Sequence, residues 1–546
     1  MKRIPFCLLL CLSIVILYAQ ETLKSAEEGY YDLLSLLGLA ERPYLNYRTL
    51  SDSTWGLDGG ISHLWQGLDL GTKRNLFGVV SMRVYGPELF SSYNTAAPYG
   101  QNDGALWQGR GFNASLSGGV RFEGYGVGLT FKPALAFSQN LEFDYMQPAY
   151  PGANYADKAG EYGYYGLPSI DAPQRFGDGP FFAFDWGDSE IRYTWKTLTA
   201  GFGTQAIWLG PAGLNPIIHS NNAPSYPKVD IGLRRQPVTL PRLGWHLGDV
   251  EFRAWWGYLS ESDWFDNDSS NDHNLLTGFS IAYSFPSLLS GLTVGLNRVM
   301  LSKWDARNYR AFFTLINPFI VNFGIDDDDQ LASITVGYLL PKAGVVIYLE
   351  WGREDYSPAI DFYIRYPFHT AVYTAGVKKA LPVSDKLKGE LLLEITRLEG
   401  SQDYDRLMSF GYSFYTHWVI FQGYTNRGQH IGAGIGGGGN SQYLGFKLYF
   451  PRGYGGLFVQ RRNPDLDYTW YIDSKQEDGA VAEINIRTFL DFGISGIYYV
   501  TPKLGAFCSL VFRDEHNPLN KAAHPAGPFS AHRYNFYAAL SAKYAF

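Results

Sequence analysis

The segment "WLGPAGLNPIIHSNNAPSYP", residues 208–227, places His219 beside Ser220, two residue types that hydrolases use for nucleophilic catalysis. Adjacent residues of an extended chain point to opposite sides, so this pair is poorly placed to act together. The chain has no GxSxG and no HExxH motif, and no pair of acidic residues stands out as the carboxylates of a glycosidase. We therefore predict that the protein is not an enzyme.

Two acidic runs could in principle bind calcium: "DWFDNDSSNDH" at 263–273 and the four aspartates at 326–329. Neither run has the glycine-centred spacing of an EF-hand, so both are interpreted as solvated loops. The run "GAGIGGGGN" at 432–440 lacks the strand and helix that flank a nucleotide-binding loop, and it predicts a flexible turn. No zinc-type Cys/His spacing occurs, and two of the three cysteines precede residue 20. We predict neither a metal nor a cofactor.

The N-terminus has the pattern of a secretory signal peptide. Three residues, Met1–Arg3, form a basic start, and an apolar run follows from Phe6 to Leu17. Small residues allow cleavage after Ala19, which predicts a signal peptide over residues 1–19. A membrane-anchoring helix is the alternative, but the apolar run is too short to span a bilayer comfortably.

Composition narrows the class of the exported chain. Aromatic residues make up 16%, charged residues only 18%, and there are 61 glycines among 546 residues. The net charge of -7 gives no basic surface for nucleic acid. Beyond the leader, no uncharged apolar stretch of about 18 residues could form a transmembrane helix. Two classes remain, a secreted all-β protein and an outer-membrane β-barrel.

One helix is predicted from Ser25 to Leu39. Ser25 and Glu28 have the spacing of a capping box, and the first turn is acidic. One face of this helix is apolar, formed by Tyr30, Leu33, Leu34 and Leu37.

From about residue 76 the hydrophobic period changes to two, as in strands with one apolar and one wetter face. The last of these strands ends at Phe546, with aromatic residues at both ends of one face and smaller apolar residues between them. That face consists of Tyr534, Phe536, Ala538, Leu540, Ala542, Tyr544 and Phe546. A lipid-facing strand between two aromatic girdles has this pattern. Roughly 16 to 20 such runs favour a membrane barrel over residues 76–546 rather than a sandwich.

Five segments in this order resemble the capsule assembly protein Wzi family. They are "LLSLLGLAERPYLNYRTLSDSTW" from Leu33, "QRFGD", "DWGDSEIR", "AGFGTQAIWLGP" and "SNNAPSYP". These motifs carry the resemblance in the first half of the chain. The remainder resembles the family only as a barrel that ends in Phe546. It implies an all-β transmembrane barrel of about 18 antiparallel strands in the bacterial outer membrane. It also implies a small periplasmic helical segment, here residues 20–75.

The resemblance implies a lectin-like role in attaching or organising capsular or related surface polysaccharide. Aromatic rings and short amides of the opening segment could then contact the C–H faces and hydroxyls of a sugar. The candidate glycan-binding residues are Trp208, His219, Asn221, Asn222 and Tyr226. The alternative interpretation is a loop packed inside the barrel that uses its asparagines to satisfy its own backbone.

The predicted partners are surface polysaccharide, outer-membrane lipid and, through the strand that ends in Phe546, the barrel-assembly machinery. The alternative function is a porin-like diffusion channel. Charged residues predicted to face the lumen would wet such a channel, namely Arg121, Glu123, Lys132, Glu251 and Arg253.

Overall fold

The computed structural model describes most of the chain from Ser25 onward. The described residues are 25–57, 62–70, 73–146, 170–266, 268–286, 289–304, 328–354, 364–400, 414–417, 419–467, 486–519 and 531–546. The predicted signal peptide, residues 1–19, lies outside them.

Eighteen antiparallel strands form one closed barrel, as the sequence predicts. The third and fourth strands each consist of two pieces. In chain order the strands are β1 Ser81–Asn94, β2 Gly111–Gly124, β3 Val127–Phe131 with Ala134–Ser138, β4 Phe181–Asp185 with Glu190–Trp195, β5 Leu198–Gly203, β6 Lys228–Thr239, β7 His246–Ser260, β8 His273–Ser284, β9 Leu292–Lys303, β10 Asp328–Leu340, β11 Val345–Glu354, β12 Ala371–Ser384, β13 Leu387–Arg397, β14 Asn440–Phe450, β15 Gly453–Asn463, β16 Thr488–Thr501, β17 Leu504–His516 and β18 His532–Tyr544.

The barrel closes where β18 pairs with β1. The register runs from Tyr537 opposite Asn94 to Lys543 opposite Glu88. Closure leaves no unpaired strand edge, which lipid could not satisfy with hydrogen bonds.

Alternation along the strands gives the barrel an apolar outer face. Aliphatic side chains from many strands are exposed there, including Leu116, Leu129, Ile231, Ile281, Ile347, Leu393, Ile494, Leu510 and Leu540. On β18 every residue of the predicted outward face is exposed, whereas Asn535, Tyr537 and Ala539 are buried. The predicted facing of this strand is confirmed. Among the described residues, no helix has the length and apolar content needed to cross a membrane.

The two ends of the barrel differ in the length of their connections. At one end only two residues separate β2 from β3, β4 from β5 and β12 from β13. At the other end the connections are long, for example residues 95–110 and 204–227. Outer-membrane barrels place short turns on the periplasmic side and long loops outside, so the long-loop end is the outer one. The predicted acidic loop at 326–329 is partly wrong, because Asp328 and Asp329 begin β10.

The N-terminal helix α1 spans Ala26–Leu36. The Ser25 side chain accepts a hydrogen bond from the Glu28 backbone N–H at 3.0 Å, which is the predicted cap. Gly38, with a φ of 72°, follows the helix end. In the described part of residues 25–70, helical structure comprises α1 and a single turn at Leu50–Asp52.

Helix α1 packs inside the short-turn end of the barrel. Tyr30 stacks on Trp65 with ring centroids 4.2 Å apart, and both rings contact Tyr449 on the inner face of β14. The Asp32 carboxylate pairs with Lys378 of β12 at 2.6 Å. The assignment of residues 20–75 to a periplasmic segment stays a prediction, and the structure shows its described part held by the inner wall.

Candidate functional site

The connection between β5 and β6, residues 204–227, folds into the barrel lumen. We call it the inner loop. Its residues Trp208 and Leu209 pair with Arg48 and Tyr47 in a short antiparallel ladder. A loop from the outer end and a segment from the N-terminus therefore meet inside the barrel.

One glutamate of the wall holds the middle of the inner loop. The Glu394 carboxylate on β13 accepts backbone N–H bonds from Gly213 at 2.6 Å, Leu214 at 3.0 Å and Asn215 at 2.9 Å. It also accepts a bond from the Tyr348 hydroxyl at 2.6 Å. Hydrogen bonds to a buried carboxylate are charge-assisted and stronger than those between neutral groups. Glu394 therefore fixes the backbone of three consecutive residues.

A second wall glutamate does the same for the N-terminal segment. Glu251 on β7 accepts N–H bonds from Leu45 at 2.8 Å, Asn46 at 2.9 Å and Tyr47 at 2.7 Å. Its lumen-facing orientation was predicted from the alternation in β7, and its partners were not.

The third wall glutamate is Glu350 on β11. It accepts the Ile217 backbone N–H at 2.9 Å and the Ser333 hydroxyl at 2.7 Å. Since β7, β11 and β13 belong to the same half of the wall, all three carboxylates fasten the internal segments to one side of the lumen.

Buried ion pairs reinforce this attachment. Arg253 is 2% exposed and reaches Asp52 and Asp230, each at 2.6 Å. Arg234 also contacts Asp52 at 2.6 Å. Burial alone would raise the pKa of the Asp52 carboxyl, but Arg234 and Arg253 outweigh it and hold that pKa well below its usual range. Loss of either partner would leave a buried charge uncompensated.

Further loop segments cover the inner loop at the outer end of the barrel. We call residues 170–178, 414–417 and 419–439 the cap. Its bonds to the inner loop join Ser220 N to Ile431 O at 2.9 Å, Asn222 Nδ2 to His430 O at 3.0 Å, Tyr424 Oη to Ile218 O at 3.0 Å, and Asn426 Nδ2 to Pro224 O at 3.0 Å. The cap and the inner loop share one buried core.

The glycine-rich run at 432–440 belongs to this core rather than to the predicted flexible turn. A Cβ on Gly432 would lie 2.2 Å from the Ile217 carbonyl oxygen, which is closer than atoms can approach. Glycine is therefore needed where the cap crosses the inner loop.

Four of the five predicted glycan-binding residues are buried. Trp208 is 0% exposed, and its indole N–H donates to the Ala212 carbonyl at 3.1 Å. Asn222 donates a hydrogen bond to the cap as described above. The half-buried Asn221 borders a cavity. The arrangement matches the alternative of a loop packed inside the barrel, with no ring face of Trp208 free for a sugar.

His219 and Tyr226 form a buried pair. The Tyr226 hydroxyl lies 2.7 Å from His219 Nε2, and Nδ1 lies 3.0 Å from the Ile207 carbonyl oxygen. Nδ1 therefore carries the proton and the Tyr226 hydroxyl donates to Nε2. Burial, with Lys228 nearby, lowers the pKa of His219 to about 3, so the ring is neutral. The Ser220 hydroxyl donates instead to the Gly432 carbonyl, so His219 does not activate it.

A cavity of about 690 Å³ lies on the opposite side of the lumen, against β1–β4 and β14–β18. It extends from the start of α1 to Asn221. Several wall positions that line the cavity carry short side chains: Ser115 lies opposite Ala136, and Ser541 lies two strands away from Ser115, with Phe90 between them. Short residues at alternate positions of these strands are the sequence signal for this cavity.

The cavity lining mixes polar and apolar side chains and carries both charges. Lys132 pairs with Asp188 at 2.9 Å, and Lys543 pairs with Glu27 at 3.0 Å. Asp103, in the connection between β1 and β2, also lines the cavity, and burial raises its pKa to about 7. Hydroxyls, amides and ions at these positions can bind the hydroxyls of a saccharide.

Comparison with known proteins identifies a family and a similar fold. A family model described as "Capsule assembly protein Wzi" matches residues 181–455, half of the chain. No curated protein matches the sequence. The structure of Wzi from Escherichia coli is similar over 97% of this chain and 100% of that one, with a TM-score of 0.57 and 12% identity. It is described as an outer membrane protein involved in group 1 capsule assembly and a carbohydrate-binding β-barrel.

Weaker similarity extends to two crystal structures from Acinetobacter baumannii. Acinetobacter baumannii OccAB4 has a TM-score of 0.40 at 7% identity, with 84% of this chain and 97% of that one covered. OccAB2 of the same organism has a TM-score of 0.38 at 10% identity, with 84% and 98% covered.

Replacement of Glu394 by alanine should release the inner loop. Three backbone N–H groups would lose their acceptor, at about 1–3 kcal/mol for each buried donor left unpaired. We expect amide hydrogen exchange at residues 213–215 to accelerate at least about 100-fold, which corresponds to roughly 3 kcal/mol. Mass spectrometry of the detergent-solubilised barrel would measure this.

The matched control is Glu399→Ala, since Glu399 lies just beyond β13 and pairs with Arg397 at 2.8 Å instead of with the loop. Equal exchange at 213–215 in the parent and in Glu394→Ala would contradict the role of Glu394.

Proposed function

The chain belongs to the capsule assembly protein Wzi family, and from this premise we propose that it binds capsular or related polysaccharide at the cell surface. It is a β-barrel of the bacterial outer membrane. The observation that carries the proposal is the extent of the family match. Residues 181–455 include the inner loop and most of the cap, the parts that distinguish this barrel from an open channel.

We propose that this cavity, rather than the buried rings of the inner loop, receives part of the glycan. Its volume of about 690 Å³ lies within the range of small-molecule sites, about 300–1,000 Å³. Asn221, Ser225, Gln460 and Ser541 offer amides and hydroxyls along its length. Among the five residues predicted from the sequence, Asn221 therefore keeps a direct role, and the other four support the loop that carries it.

A diffusion channel is the less favoured function. Wall carboxylates that would line an open pore are occupied by backbone N–H groups of the inner loop and the N-terminal segment. We also propose that the protein binds its glycan without turning it over. His219 is neutral and bonded to Tyr226, and Ser220 is bonded to the cap.

Surface polysaccharide should be released when the gene is deleted from a strain that makes a capsule, and the parent gene should restore retention. The cavity can be tested by the double variant Ser115→Trp/Ser541→Trp, which places two bulky rings at positions of the cavity wall that carry short side chains. We expect at least a tenfold loss of glycan affinity and increased release, because bulky rings occupy the space of the sugar. Cell-bound and released polysaccharide, and binding by purified protein, would be measured.

The control is Leu116→Trp/Ala542→Trp, which places the same rings one residue along, on the exposed outer face. Unchanged retention in the deletion strain would exclude the proposed function. Retention that depends on the gene but not on Ser115→Trp/Ser541→Trp would exclude only the cavity as the binding site.

Strand β18 is the proposed contact with lipid and with the assembly machinery. Its outward side chains are exposed through Tyr544, and Phe546 follows on the same side. We expect Phe546→Asp to lower outer-membrane levels far more than Ala545→Asp, because only Phe546 belongs to the exposed face. Heat-modifiable migration of membrane fractions would measure assembly.

Refolding into pure lipid vesicles distinguishes contact with lipid from recognition by the assembly machinery, because the vesicles contain no assembly machinery. If the Phe546→Asp variant refolds as the parent does but fails in cells, the assembly machinery recognises Phe546. Failure in both settings would attribute the defect to lipid contact. Normal assembly in cells would refute both roles.

A further inference from the structure

Two histidines and an aspartate meet on the outer face of the barrel near its long-loop end. Asp514 and His516 lie at the end of β17, and His532 begins β18. We call these residues the rim triad. The sequence gives no zinc-type spacing for them, but His516 and His532 stand directly opposite each other in the strand register. Directly opposite side chains are near neighbours in an antiparallel pair.

The ligand atoms of the rim triad already converge. His532 Nδ1 lies 2.8 Å from Asp514 Oδ1, and His516 Nε2 lies 3.2 Å from Asp514 Oδ2. The two imidazole rings have centroids 4.3 Å apart. One ligand atom from each residue falls within 4.8 Å of those of the other two. Donor atoms around tetrahedral zinc are roughly 3.3 Å apart, given zinc–ligand bonds of about 2.0–2.2 Å. Movements of well under 2 Å would bring this set to that geometry.

We propose that the rim triad is a zinc site, with His516, His532 and Asp514 as its three protein ligands. Two neutral imidazoles and one carboxylate are a donor set that suits Zn²⁺, while Ca²⁺ and Mg²⁺ prefer oxygen ligands. Each imidazole needs an unprotonated nitrogen toward the ion. In a neutral ring the proton moves to the other ring nitrogen, and a protonated ring releases one proton. Three protein ligands leave a fourth position for water.

Among the described residues, the two arginines next to the rim triad in sequence do not pair with Asp514. Arg533 and Arg513 lie on the inner face of the same strands, where they pair with Glu515 and Asp491. On the outer face the neighbour is Tyr534, whose ring stacks on His532 with centroids 5.9 Å apart. The rim triad thus borders the aromatic belt and opens outward, where an ion in solution can reach it.

Binding can be tested with zinc chloride alone on the full chain, purified in detergent without a polyhistidine tag. Competition with a chromogenic zinc chelator at neutral pH should show one zinc per barrel. We expect the variants His516→Ala and His532→Ala each to weaken this binding more than tenfold, because each removes a ligand. Excess Ca²⁺ or Mg²⁺ should not displace the zinc.

His273→Ala is the control, since His273 is an exposed histidine at the start of β8 and outside the rim triad. Heat-modifiable migration would show that each variant is folded. The variant Asp514→Asn keeps a side chain of the same size with one oxygen acceptor, and it should also weaken zinc binding. It still tests the proposal if the histidine variants fail to fold. Absence of zinc binding by the parent, or unchanged affinity in all three triad variants, would overturn the proposal.

Discussion

A chain packed inside a barrel must find acceptors for its backbone N–H groups, because each buried donor left unpaired costs about 1–3 kcal/mol. This constraint governs the interior of the molecule. Glu251 and Glu394 each receive three consecutive N–H groups, and Glu350 receives another. The inner loop and the N-terminal segment are thereby fixed well enough to pair with each other at Tyr47 and Leu209. The buried rings of Trp208 and Tyr226 fill the space that these bonds define.

The attachment by the three wall glutamates is one-sided, and this asymmetry connects structure with function. All three glutamates project from strands β7 to β13, whereas the cavity follows β1–β4 and β14–β18. The barrel therefore combines internal segments fixed to one part of the wall with a cavity of ligand size along the other. A pore would require the opposite arrangement, with free carboxylates and an unobstructed path. Retention of a glycan needs only a fixed polar surface close to the outer end, where Asn221 and the cap lie.

Local sequence patterns predicted helix α1 and the strands of the barrel. Contacts between residues far apart in the chain determine the structure of the candidate functional site. Alternation of apolar and polar residues predicted the outward face of β18 and the approximate number of strands. The capping residue Ser25 predicted the start of helix α1. These signals can be read from sequence because each lies within a few neighbouring residues. The partner of Gly213 is Glu394, 181 residues away, and no local pattern could have joined them. Aromatic and amide residues of the inner loop suit both a sugar site and a buried core, so composition alone left both interpretations open. His516 and His532 became neighbours only through strand register.

The claim that wall carboxylates hold the lumen closed is tested most directly by conductance across a planar lipid bilayer. The parent barrel should insert without stable open channels. The triple variant Glu251→Ala/Glu350→Ala/Glu394→Ala, inserted to the same level, should show frequent openings, because the internal segments lose their acceptors while the barrel stays closed by its own strands. Stable open channels in the parent, or a triple variant as silent as the parent, would contradict this account.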